Sequence, residues 1–241
     1  MNVVILNGQN HKGTTWHVAR QLAEKLTDPQ HIREFFFPRD LPDFCLGCCQ
    51  CILQDEALCP HHARLQPVTE AMDWADVIIL ASPVYVYHVT GSMKAFLDHC
   101  AYRWMLHRPA PGMFRKQAVA VTTAAGGGMD SACRDMADSC RHWGVAKTYR
   151  LGAAVRAAGW EHVSPRIRAG IDRRTSRLAA RIAARAGRVR PGLVTRAMFG
   201  LFRRLMGRGW NPADVAYWKA QGWLDGAKPW RQPAGQISEG K

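Results

Sequence analysis

The sequence predicts an α/β fold in which one doubly wound parallel sheet of five strands is covered by helices on both faces. Three observations carry this. Short apolar runs alternate with stretches of helical period along residues 1–157. Three of the runs, 3–6, 77–80 and 118–121, are continuously apolar, as strands buried on both faces must be. Distinctive polar or glycine-bearing loops follow these three runs, at the strand ends where such sheets bind small ligands.

In chain order, residues 2–8 form the first strand candidate, and residues 14–27 read as a helix because Val18, Leu22 and Leu26 recur every four residues. Residues 31–37 form the second strand candidate and residues 76–85 the third. A helix over 89–105 follows, with Val89, Met93, Leu97 and Ala101 on one stripe. Residues 117–125, 129–143 and 148–155 complete the series as strand, helix and strand.

The first loop, Asn7 to Thr15, opens a helix, so its backbone amides, with the hydroxyls of Thr14 and Thr15, can meet a phosphate. Ordinary capping by either threonine explains the same residues. The second loop, beginning Ser82-Pro83-Val84-Tyr85-Val86-Tyr87, brings backbone and two aromatics to the same edge. The third, Thr123-Ala124-Ala125-Gly126-Gly127-Gly128, lets a ligand or another backbone approach closely. Each alone reads as turn chemistry; three at matching positions point to a site for a flat heterocycle. Neither the Gly-x4-Gly-Lys-Ser/Thr nor the Gly-x-Gly-x2-Gly motif occurs in the first loop, which argues against ATP and a tightly held dinucleotide. No Gly-x-Ser-x-Gly elbow supports a hydrolase.

These residues resemble those of the flavodoxin-like NADPH-dependent FMN reductases and multimeric flavodoxins. The likeness rests on the 8–15 loop, on Ala75-Asp76-Val77-Ile78-Ile79-Leu80-Ala81-Ser82-Pro83-Val84-Tyr85, and on residues 89–98. It implies strand order 2-1-3-4-5 and bound FMN, with phosphate held at Asn10, Thr14 and Thr15. The ring would lie against Pro83, Val84, Tyr85 and Val86 and against Thr123, Ala124, Gly126 and Gly127. NAD(P)H would be the electron donor. The chain departs from the family's usual Gly-Ser after the first strand, carrying Asn7-Gly8 there and Gly13-Thr14-Thr15 at the helix start.

Five of the eight cysteines fall between Cys45 and Cys59. Cys45, Cys48, Cys51 and Cys59 are separated by two, two and seven residues, a soft donor set suited to zinc or an iron–sulfur centre. The pattern resembles the compact motif of the iron–sulfur flavoproteins, which implies a [4Fe–4S] cluster on these four. Zinc, with His61 or His62 replacing a thiol, and uncomplexed redox thiols are the alternatives. The two histidines also read simply as a solvated helix start. Cys100, Cys133 and Cys140 lie in helical patterns and are expected to be small buried hydrophobes.

Of the 33 Lys and Arg residues, 15 lie in residues 150–208 against only Glu161 and Asp172, whereas residues 1–149 balance 14 basic with 14 acidic. Two basic amphipathic helices are expected there. One spans 165–187, with Ile167, Ile171, Leu178 and Ile182 on a stripe. The other has Val194, Met198, Leu201, Phe202 and Leu205 on one face. Such helices dock on their own sheet, bind another subunit, or lie on an anionic membrane. We expect residues 1–157 to form the FMN-binding domain and 158–241 a basic helical extension. Tyr217 to Leu224 resembles a tail that caps the flavin or contacts a subunit in some of these flavoproteins.

No apolar run approaches the roughly 18 residues needed to cross a bilayer, and the N-terminus lacks the features of a signal peptide, so a cytoplasmic location is expected. The reading is an FMN-dependent oxidoreductase, a homodimer or homotetramer. It passes electrons from NAD(P)H to a small-molecule or protein acceptor (a quinone, nitro compound, flavin or protein), with no nucleic-acid partner. The alternative is a redox-sensing metal protein that binds nucleic acid through its basic helices.

Overall fold

The computed structural model describes residues 1–231. Its centre is a five-stranded, all-parallel sheet of order β2-β1-β3-β4-β5, built from β1 (Val3–Asn7), β2 (Ile32–Phe36), β3 (Val77–Ala81), β4 (Gln117–Ala124) and β5 (Lys147–Ala154). β1 and β3 are buried along their whole length, and run in register from Val3 opposite Val77 to Asn7 opposite Ala81. Parallel pairing requires crossovers, and helices supply them.

Alternation along each strand divides the interior into two cores. Val4, Leu6, Ile78, Leu80, Ala118 and Ala120 face one side, where α3 (His62–Trp74), α4 (Gly91–His99) and α5 (Met129–His142) cover them. Val3, Ile5, Val77, Ile79, Val119 and Val121 face the other, covered by α1 (Thr14–Glu24) and α6 (Pro165–Ala183). Cys100, Cys133 and Cys140 are buried as expected, and burial pushes their thiols up to about 12, 11 and 12.

α6 buries Ile171, Leu178 and Ile182 of its expected stripe, with Ile167 half-buried. Its arginine-rich side faces solvent. A third core gathers α7 (Leu193–Gly207) and α8 (Pro212–Ala220) with the segment leading into β4. Leu106 and Phe114 meet Phe199, Phe202, Met206, Trp218, Trp223 and Trp230. Phe199 stacks on Trp218 at 4.7 Å between centroids, and such pairs add about 0.5–1.5 kcal/mol beyond burial.

Two sequence expectations are corrected here, and a third element is located. In α7 the buried face is Thr195, Phe199, Phe202 and Met206, while Val194 and Leu201 are 67% and 54% exposed. This helix is apolar around most of its circumference, so its packing partners select the buried arc. α4 stops at His99; the chain turns through 3-10 geometry from Ala101, and Met105 and Leu106 take left-handed backbone (φ 47° and 58°), so no helix continues to 105. The tail aromatics dock within their own chain. Tyr217 donates to the Pro109 carbonyl at 2.8 Å, and the Trp218 indole donates to those of Leu106 and His107 at 3.2 and 2.8 Å. No helix among the described residues is long and apolar enough to cross a membrane.

Candidate cofactor site and cysteine loop

The carboxyl ends of β1 and β3 meet at a small cavity of about 160 Å³ whose lining includes Asn7, Gln9, Thr14, Thr15, Pro83 and Tyr85. α1 begins here with Gly13 at its N-cap, no side-chain cap and no acidic residue in its first turn. Capping does not account for Thr14 and Thr15. Their hydroxyls instead lie 3.0 and 2.6 Å from the buried hydroxyl of Thr123, tying the helix start to β4. Unpaired amides at a positive helix end suit a phosphate. The buried Oδ1 of Asn7, at the cavity wall, has no hydrogen-bond partner, so a donor from a ligand would complete it. Asn10 is exposed and stands outside the cavity lining; Asn7 and Gln9 occupy it instead.

The other two loops pack on each other. The backbone N–H of Val84 donates to the Thr123 carbonyl at 3.0 Å. Gly128 has φ +84°, and a Cβ there would come within 2.7 Å of Val84 Cγ1, so conformation and space both demand glycine. Gly126 and Gly127 face open space, and Ala124 is half-buried beside them. Across the cleft the Gln9 amide donates to the Tyr85 hydroxyl. The residues present therefore fit FMN: amides for phosphate, an orphaned carboxamide oxygen, and an open glycine edge for a flat ring.

Tyr85 and His88 close a two-residue turn through paired backbone hydrogen bonds of 2.9 and 3.0 Å. The turn's central residues, Val86 and Tyr87, both have positive φ, 48° and 67°. Such turns favour Asn-Gly, and a β-branched residue in left-handed backbone costs about 1–3 kcal/mol. Val86 is 93% exposed and makes no core contact in return. Val86→Asn is accordingly expected to raise the unfolding free energy by about 1 kcal/mol in urea titrations, and no gain would mean the turn is not strained.

In the cysteine loop, Cys45 and Cys48 are exposed, Cys51 and Cys59 are half-buried, and all four are free thiols. Burial, then the neighbouring Cys59, Cys45 and Cys48, pushes the Cys51 thiol up to about 11. The short helix α2 (Gln50–Leu53) is anchored from outside. Arg108 donates to the carbonyls of Cys51 and Ile52, and Asn211 donates to Ile52 at 2.9 Å. Both also bind Asp214, the fully buried carboxylate at the start of α8, which His107 contacts as well.

Cys45, Cys48, Cys51 and Cys59 do not draw together at the spacing of a single ion. The group that does, among the described residues, is Cys59, His61 and His99, whose ligand atoms lie within 4.8 Å of one another. His62 is outside it. No local pattern marks His99, which stands 38 residues beyond His61 on another helix.

The sequence model described as NADPH-dependent FMN reductase matches residues 1–159. An iron–sulfur flavoprotein of Methanocaldococcus jannaschii is 35% identical over 111 residues, 44% of this chain and 54% of that protein. One from Archaeoglobus fulgidus is 29% identical over 99 residues, 41% and 48% of the two chains. The chain thus spans about half the length of the curated relatives it matches. Among solved structures, an NAD(P)H:quinone oxidoreductase from Methanothermobacter marburgensis superposes with TM-score 0.56 at 16% identity, covering 74% of this chain and 95% of the other. An FMN-dependent NADH-azoreductase from Bacillus anthracis, in complex with FMN, gives 0.55 at 10% identity, covering 76% and 100%. Those two likenesses speak for the fold, and the family follows from the match over residues 1–159: this chain belongs to the NADPH-dependent FMN reductase family.

Proposed function

We propose that the protein is an FMN-dependent oxidoreductase that carries reducing equivalents from NAD(P)H to a small-molecule or protein acceptor. The observation that carries this is the uncapped start of α1 beside the orphaned Asn7 oxygen in one cavity, at the sheet end where the loop after β4 leaves Gly126 and Gly127 open. Thr14, Thr15 and the first amides of α1 hold the phosphate. Pro83, Val84, Tyr85 and Val86, with Thr123, Ala124, Gly126 and Gly127, would hold the ring. When bound, FMN supplies acceptance of hydride and onward delivery of one or two electrons. The backbone donors of residues 124–127 would stabilise negative charge at the ring edge they face. Tyr85 and the Gln9 amide bonded to it link the first two loops across the cleft. No side-chain nucleophile or general acid is required.

The acceptor is drawn from quinones, nitro compounds, free flavin and protein partners. We further propose that residues 1–157 form the FMN-binding unit and the basic residues beyond it an extension, in a homodimer or homotetramer.

The test is purification with a visible spectrum, FMN titration and an NAD(P)H oxidation assay. Stoichiometric FMN and NAD(P)H turnover support the reading. A colourless protein that fails to bind added FMN, yet binds DNA or RNA in a salt-sensitive way, overturns it in favour of the regulatory alternative. In the same titration Gly127→Trp is expected to weaken FMN binding at least about tenfold by filling the open edge; unchanged affinity would remove this loop from the site.

A further inference from the structure

We propose that Cys59, His61 and His99 bind a single divalent transition-metal ion of the zinc class, with a fourth position left to water. Three observations carry the assignment. The first is geometry. The thiol and the two imidazole nitrogens lie within 4.8 Å of one another, and His61 Nδ1 is 2.9 Å from His99 Nε2. A tetrahedral zinc ion with Zn–S near 2.3 Å and Zn–N near 2.0 Å holds such atoms roughly 3.3–3.6 Å apart, so small side-chain rotations suffice.

The second is the state of His99. It is 2% exposed on the last turn of α4, and its Nδ1 lies 2.7 Å from the Ala95 carbonyl. A carbonyl only accepts, so Nδ1 carries the proton and Nε2 presents its lone pair toward His61. A carbonyl on the far nitrogen is the outer support that metal-binding histidines use to fix ring orientation and tautomer. In the metal-free chain His61 donates its Nδ1 proton to that lone pair. On metal binding His61 shifts to the Nε2–H tautomer, freeing Nδ1, and Cys59 loses its thiol proton to solvent.

The third is chemistry. One thiolate and two imidazoles select zinc and its neighbours over magnesium or calcium, which take oxygen donors. The ion would fasten the end of the cysteine loop and the start of α3, where His61 is the N-cap, to the last turn of α4. This assignment competes with the four-cysteine cluster for Cys59, since one thiolate serves one of the two.

The deciding experiment loads metal-free full-length protein with zinc chloride or cobalt chloride. It measures stoichiometry by elemental analysis, affinity by chelator competition, and the thiolate–cobalt absorption band. One ion per chain is expected. His61→Ala and His99→Gln should each weaken it at least about a hundredfold, the share of one ligand in a structural site. Cys59→Ser should abolish the cobalt band and Cys45→Ser should leave zinc affinity unchanged. His61 is only half-buried, so a folded His61→Ala, checked by circular dichroism, keeps the test valid if His99→Gln misfolds. Iron with acid-labile sulfide in anaerobically purified protein, lost in Cys45→Ser but retained in His61→Ala, would overturn the proposal in favour of the cluster. Zinc affinity indifferent to both histidines would also overturn it.

Discussion

Asp214→Ala is expected to lower the unfolding free energy by about 3–5 kcal/mol, because it strands a buried cation. The carboxylate is fully buried and accepts from Arg108 at 2.7 Å and from Asn211 at 3.0 Å, with His107 against its second oxygen. Arg108, itself only 5% exposed in its side chain, has one other acidic partner, the half-exposed Glu56 at the longer distance of 3.6 Å. Removing Asp214 leaves that guanidinium charged in a low-dielectric surround. Urea unfolding measures the loss, and a change below about 1 kcal/mol would mean that water replaces the carboxylate. The double variant Asp214→Leu with Arg108→Met should recover much of the stability, since a buried ion pair exchanged for apolar groups is often near neutral. The same pair also holds the carbonyls of Cys51 and Ile52. Iodoacetamide labelling of Cys51 should therefore accelerate in the single variant, as α2 loses its anchor.

Thr14→Asp should move stability and FMN affinity in opposite directions. Position 14 is the first residue of α1, whose first turn contains no acidic side chain. A carboxylate there complements the helix dipole and should stabilise the fold by about 0.3–1 kcal/mol. Toward a phosphate on the same amides it is a like charge a few ångströms away, costing roughly 2–4 kcal/mol, between about thirtyfold and a thousandfold in Kd. FMN titration alongside thermal unfolding reads both. Unchanged affinity would place the phosphate elsewhere, and lost stability would mean that the Thr14 hydroxyl contact with Thr123 outweighs the dipole. High salt should narrow the difference in affinity, because screening acts on an exposed charge pair.

Residues 3–6, 77–80 and 118–121 were legible as central strands because burial on both faces leaves only apolar residues, and no other local structure explains three such runs between helical periods. The loops after them were legible as a site for a related reason. In a doubly wound sheet the strand direction fixes which end carries the ligand, so position in the series marks candidates before any contact is known. The residue-level roles were less legible. Thr14 and Thr15 suited capping and phosphate binding equally until Thr123 appeared between them. Asn10 is the expected phosphate contact, whereas Asn7, three residues earlier at the end of β1, carries the buried orphan oxygen.

The failures share a cause. α7 was read with Val194 and Leu201 inward because its apolar residues leave several arcs of similar hydrophobicity. Phe114, Trp218 and Trp223, distant in the chain, decided for Phe199. His99 reads locally as one more residue of a helical stripe, and only the fold sets it beside His61 and Cys59. The sequence by itself determined the sheet, its direction and the edge where the three candidate loops gather, because periodicity and apolar runs are local properties set by backbone geometry. Only the tertiary structure decided the partners of Asp214, the inner face of α7 and the histidines gathered around Cys59. Those depend on side chains brought together from elements tens of residues apart, and no local pattern records which of them will meet.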